Sequence, residues 1–213
     1  KAKKTNATNP LSFVPPKLFD LPDDLEITLW AKSPQLANPT NMDIDAQGRM
    51  WITEGLNYRR SKLAGNKGDR IVVLQDTNGD GKADKSNTFY QGKDLNAPLG
   101  ICVIDNEIYV SMSPNIIKFT DVDRDAVFTP GKDKKEIFLS GFSPISHDHT
   151  LHSMTAGPDG EFYFNTGNTG PFSVKGSDGR QFTSKKGVKS SDGHFYAQGA
   201  TFRMKPDKSG LQI

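Results

Sequence analysis

The sequence predicts an all-β fold assembled from repeated, short-stranded sheets. Three observations carry this. The chain holds 20 Gly, 13 Pro and 13 Phe in 213 residues, the profile of short strands joined by turns. One pattern of apolar alternation, polar turn and aromatic strand recurs three times along it. Helix signals are poor: Leu29 to Leu36 is short and is broken by Pro34.

Taken in order, residues 1–24 read as an N-terminal tail, opened by the basic cluster Lys1 to Lys4 and a polar stretch. The first repeat is N41-M-D-I-D-A-Q-G-R-M-W-I-T53, the second L99-G-I-C-V-I-D-N-E-I-Y-V-S111, the third S153-M-T-A-G-P-D-G-E-F-Y-F-N165. Each turn carries residues that tolerate unusual backbone angles: Gly48, Asp105-Asn106 and Asp159-Gly160. The aromatics Trp51, Tyr109 and Tyr163 align at a period of about 55 residues, room for the four strands of a somewhat loose propeller blade. The second halves match as well. I71-V-V-L-Q-D76 resembles I116-I-K-F-T-D121, each an apolar strand ending in an aspartate-rich loop.

Gly170 to Gly193, rich in Gly, Ser and Lys, reads as a long surface loop. Ala200 to Lys205 reads as the first strand of a further, unfinished blade. The expectation is therefore a β-propeller of which residues 25–213 supply the N-terminal part, about three and a half blades, truncated at the C-terminus. Trp30, Trp51, Tyr58 and Phe162 to Phe164 read as blade core.

Bulk properties exclude several function classes. The 27 basic and 25 acidic residues nearly balance, at a net charge of +2, so no face basic enough for nucleic acid is expected. No apolar run approaches the ~20 residues of a transmembrane helix. The single cysteine, Cys102, excludes a disulfide framework, and its apolar flanks mark a buried thiol.

Two acidic loops are candidate metal sites. D76-T-N-G-D-G-K-A-D84 offers oxygens from Asp76, Asn78, Asp80 and Asp84 and the backbone carbonyl of Lys82. A hard cation surrounded by many oxygens is Ca²⁺-like. The first six positions fit the EF-hand template, but Asn87 stands at the twelfth and the flanks read as strands, so the expectation is a calcium loop within β-structure. The alternative is a solvated turn. D121-V-D-R-D125 is a weaker copy, with Asp121, Asp123 and Asp125 as ligands and Ala126 in the place of the glycine.

All but one of the four histidines lie in S146-H-D-H-T-L-H-S153. Three readings stand side by side. His147, His149 and His152 could bind Zn²⁺; they could be polar residues at a hairpin mouth; or His149 could take a proton from an alcohol with Asp148 beside it, since imidazole titrates near neutrality.

The stretch D148-H-T-L-H-S-M-T-A-G-P-D-G-E-F-Y-F-N-T-G-N-T-G170 resembles a segment of soluble quinoprotein glucose dehydrogenases and their sorbosone dehydrogenase relatives. With M50-W-I-T-E-G55, residues 68–85 and residues 116–125, it is also similar to the propeller of a membrane-bound dehydrogenase family that is often joined to a haem-binding c-type cytochrome domain. The resemblance covers roughly residues 25–213. It implies a six-bladed propeller outside the cytoplasm, periplasmic or extracellular, that oxidises a sugar or other alcohol with pyrroloquinoline quinone and Ca²⁺. It implies His149 as the base and Asp148 as a substrate contact, with Asn168, Thr169 and His152 also facing substrate. The turn G167-N-T-G170 departs from the relatives, which carry a glutamine there. The relatives' quinone-binding basic residues lie in later blades. The other class the sequence leaves open is a non-catalytic, calcium-stabilised propeller that binds a glycan or a protein partner.

Overall fold

The computed structural model describes residues 18–57, 67–145 and 149–213. The expectations for Lys1 to Lys4, Tyr58, His147 and Asp148 lie outside the described residues. The described chain is all-β, with no α-helix and with every sheet antiparallel. No described helix is long and apolar enough to cross a membrane.

Strands β1 (Pro39–Ile44), β2 (Met50–Glu54), β3 (Asp69–Gln75) and β4 (Lys85–Gly92) form a first sheet in the order β1-β2-β3-β4. Strands β5 (Gly100–Ile104), β6 (Glu107–Met112), β7 (Asn115–Thr120) and β8 (Lys134–Ser140) repeat that meander. The third sheet joins β9 (Leu151–Ala156), β10 (Phe162–Thr166) and β13 (Thr201–Met204) in the order β9-β10-β13. Between β10 and β13 lies a hairpin of β11 (Ser173–Lys175) and β12 (Gln181–Thr183).

Two expectations are corrected here. Residues 200–205 do not begin a further unit: β13 pairs with β10, from Phe162↔Met204 to Asn165↔Thr201, and an Arg203↔Gln212 bridge extends this same sheet. Nor is 170–193 only a surface loop. Phe172, Val174 and Phe182 are buried in the core that serves the third sheet.

The sheets stack face to face because β-strand side chains alternate between faces. On β6, Ile108 and Val110 pack with Trp51, Ile71, Val73 and Phe89 of the first sheet. Tyr109, between them, faces the other way and packs with Phe162 and Phe138. On β7, Phe119 joins the first core and Ile116 the second. The middle sheet is thus buried on both faces. The outer face of the first sheet, Ile52, Val72 and Leu74, is covered by Trp30, Ala31 and Leu36.

The first strands of the three sheets adjoin one another, β1 against β5 and β5 against β9. Polar ties cross the first seam: Asp43 Oδ2 accepts the Val103 N–H at 2.7 Å, and Thr40 Oγ1 donates to the Pro98 carbonyl at 2.5 Å. At the second seam a Cβ on Gly100 would stand 2.7 Å from Ser153 Cα, so only glycine permits this approach.

The hairpin turns fasten their aromatics by carboxylates. Asp45 accepts the Trp51 indole N–H at 2.8 Å, Glu107 the Tyr109 hydroxyl at 2.5 Å and Asp159 the Tyr163 hydroxyl at 2.6 Å. Asp45 also accepts from the Gln47 and Arg49 backbone and from the Arg49 side chain. Burial pushes the Asp45 carboxyl up, but the bonds from Trp51 and Arg49 outweigh it and hold it below its ordinary value. Its stabilising contribution is therefore complete above the unfolded carboxylate value, about 4, and is lost as pH falls through the lower folded value. Asp45→Ala is expected to cost about 1–3 kcal/mol near neutrality, because the buried Trp51 N–H loses its acceptor. The gap to the wild type should narrow below about pH 4. Urea unfolding at stepped pH tests this; a gap that did not change with pH would contradict it.

Cys102 is 2% exposed, and burial, with the nearby Asp43 charge, raises its thiol to about 12. It is an inert core group, as its flanks suggested.

Candidate functional site

The histidine segment meets the end of β10. His149 and Thr150 lead into β9, and the turn G167-N-T-G170 follows β10 directly alongside. Backbone bonds clamp the two together: the Gly167 N–H donates to the Thr150 carbonyl at 2.6 Å and the Thr169 N–H to the His149 carbonyl at 3.5 Å. Thr150 is fully buried, its hydroxyl against that of Ser113, which also accepts the Leu151 N–H at 3.2 Å. This clamp fixes the residue before it. Exposed His149 places Nδ1 3.1 Å from Asn168 Oδ1. In the tautomer that carries its proton on Nδ1, the ring donates to this amide oxygen.

Glycine at 167 is required for this pairing. A Cβ there would stand 2.5 Å from the His149 carbonyl oxygen and 3.1 Å from His152 Nε2. Gly167→Ala is expected to push the turn away, uncouple Asn168 from His149 and cost about 1–3 kcal/mol. The ¹⁵N signals of the His149 ring report the tautomer; an unchanged Nδ1–H signal in the variant would contradict this geometry.

A cleft of about 550 Å³ opens beside Asn168. Its other walls are Ser184, Lys185, Lys186, Phe195, Tyr196 and Gln198. Tyr196 is held by its hydroxyl bond to Asp192 at 2.6 Å, and Phe182 packs against its ring. Exposed Phe195 carries the Lys189 ammonium 5.6 Å over its ring. Of the sequence candidates, His149, Asn168 and Thr169 therefore gather at one turn. Half-buried His152 lies on β9 opposite Asn165. The register shifts between Phe164 and Asn165, leaving Ser153 as the extra residue and letting Leu151 and Met154 both face the core. Ser184, Lys185 and Lys186 were hidden in residues 170–193, which composition presents as a solvated loop, and Phe195, Tyr196 and Gln198 follow it; the apolar Phe172, Val174 and Phe182 are buried within that stretch.

The two acidic loops differ. In the first, Asp76 accepts the Gly79 and Gly81 N–H groups at 2.8 and 2.9 Å. Asn78 accepts the Asp80 N–H, Asp80 the Lys82 N–H, and Asp84 the Thr77 N–H and hydroxyl. The loop is held by its own turns and docks through the Ala83 N–H on the Trp30 carbonyl at 2.8 Å. In the second, the ligand oxygens of Asp121, Asp123 and Asp133 lie within 4.8 Å of one another. Asp133 takes the place expected for Asp125, whose carboxylate instead accepts the Val127 N–H at 2.8 Å. Ala126 stands where glycine was missed, fully buried at φ +61°. Burial pushes the Asp121 carboxyl up; the Ala126 N–H opposes this, and the Asp133 and Asp125 charges add to it.

The family model described as "Domain of unknown function (DUF7133)" matches residues 16–213. The chain belongs to this family. Among curated proteins, none matches the sequence.

Proposed function

We propose that this DUF7133 chain is part of an extracytoplasmic β-propeller that binds a sugar or other polyol in the cleft beside His149 and takes part in its oxidation. The observation that carries the reading is the His149–Asn168 pair, 3.1 Å apart, whose Asn168 lines that cleft. Two four-stranded meanders and a third sheet stacked face to face, first strands adjacent, support the propeller. The resemblance of residues 148–170 to quinoprotein sugar dehydrogenases supports the substrate class.

In this reading Asn168 holds the imidazole with Nδ1 protonated, and Nε2 accepts the proton of a substrate hydroxyl as hydride leaves the same carbon. Tyr196 and Gln198 bind and orient the polyol. A quinone of the pyrroloquinoline type would be the hydride acceptor. It carries three carboxylates, which call for converging cations. Among the described residues the cleft offers Lys185 and Lys186 and no arginine, which leaves that set short, so no quinone-binding residue is assigned.

Isothermal titration with a panel of aldoses and polyols tests the binding half. Binding is expected, and Tyr196→Ala should weaken it at least about tenfold, the loss of a stacking or hydrogen-bonding wall. No heat with any member of the panel would contradict it. The exposed Phe195 under Lys189 favours a second reading, a non-catalytic propeller that presents this rim to a glycan. Binding without any turnover would select that reading.

A further inference from the structure

We propose that Asp121, Asp123 and Asp133 hold one Ca²⁺ ion in the connection between β7 and β8. This stands apart from the role given to His149.

Asp133, 7% exposed, accepts the Val122 N–H at 2.8 Å on one oxygen and the Thr129 N–H at 2.6 Å on the other. Asp121, 2% exposed, accepts the Ala126 N–H at 2.9 Å on Oδ2. Its Oδ1 is buried with no hydrogen-bond partner. Such an orphan is rare in a native interior and calls for an unseen partner. The loop's own cations do not supply one. Arg124 turns outward to Asp105, and Lys132 pairs with Asp123.

Two buried carboxylates side by side need either a cation or a proton between them. The oxygens favour the cation. Three carboxylates converge, all within 4.8 Å, and oxygens bound at about 2.3–2.6 Å to one Ca²⁺ span at most about 5 Å. Exposed Asp123 leaves one side open to the waters that would complete the shell. Mg²⁺ fits less well, because it holds its waters in a near-ideal octahedron.

The site would also bind the first two sheets together. The Phe128 N–H donates to the Phe89 carbonyl at 2.9 Å, the Asn87 amide to the Ala126 carbonyl at 2.6 Å, and Arg49 to the Arg124 carbonyl at 3.3 Å. Each bond reaches from the first sheet to the loop. An ion that fixes this loop fixes their seam.

Calorimetric titration of the chelator-treated chain with CaCl₂ tests the proposal, with Tb³⁺ luminescence as a second probe. The expected result is one Ca²⁺ per chain. Asp123→Asn, an exposed change that leaves the core intact, should weaken it at least about tenfold, whereas the Asp76→Asn, Asp80→Asn double variant should not. Absence of both heat and Tb³⁺ luminescence up to millimolar metal would overturn the proposal. Binding that survives Asp123→Asn and disappears in the double variant would overturn it too, assigning the ion to the first loop.

Discussion

His149→Ala is expected to lower dye-coupled oxidation of the best aldose or polyol by about 10²–10⁴-fold, the usual contribution of a positioned general base. The loss should fall on kcat, because the imidazole acts on the proton in flight and contributes little to holding the substrate. Folding should be unaffected: His149 is exposed, and the neighbouring clamp runs through the backbone and the buried Thr150. Asn168→Ala should cost less, about tenfold, because it releases the tautomer without removing the base. Its rate against pH should shift relative to the wild type, which a merely structural role of Asn168 would not produce. Thermal melting alongside steady-state kinetics separates the two. A His149→Ala variant that melts normally and turns over normally would remove His149 from the reaction.

The largest stability effect is expected at Phe202, with Phe202→Ala costing about 3–5 kcal/mol. The ring is fully buried on β13. It stacks on Phe164 at 5.1 Å and 7° and meets the edges of Phe172 and Phe142 at 4.9 and 6.1 Å. Those partners come from β10, from the start of the β11–β12 hairpin and from the end of the middle sheet, so one ring joins three parts of the fold. Truncation would leave a cavity that rigid strands cannot collapse into. Phe195→Ala is the control: that ring is 61% exposed, and its loss should stay within about 0.5 kcal/mol. Denaturant unfolding of the two variants checks the pair. A Phe202 effect below about 1 kcal/mol would mean that β13 does not close the third sheet as described.

Much of the fold was legible in the sequence for a local reason. A hairpin writes its alternation and its turn into contiguous residues, and the three repeats at 41–53, 99–111 and 153–165 are the hairpins β1–β2, β5–β6 and β9–β10. The matching third strands, at Ile71 and Ile116, were legible the same way. What failed was non-local. Nothing within residues 200–205 says that their partner is β10 rather than a new neighbour, because β pairing is decided by the closure of the whole core. The two three-residue strands of 173–183 are too short for alternation to register.

The candidate site divides along the same line. His149 and Asn168 were named because the resembling stretch 148–170 contains both, whereas Ser184, Lys185 and Lys186 come from the 170–193 insertion that composition marks as solvent-exposed, and Phe195, Tyr196 and Gln198 follow it. The second acidic loop shows the limit most plainly. Asp121 and Asp123 stand two positions apart in sequence and were counted together with Asp125. Asp133 enters only because the connection folds back, through a turn at Pro130-Gly131, to bring its carboxylate beside Asp121. Template spacing cannot express that return.

The measurement that tests the central reading most directly is dye reduction by the protein with pyrroloquinoline quinone and Ca²⁺ present, across aldoses and polyols. Turnover with at least one of them is expected, lowered about 10²–10⁴-fold in His149→Ala. Turnover absent across the panel, under conditions where the sugars are shown to bind, would contradict the oxidative role and leave a glycan-binding propeller.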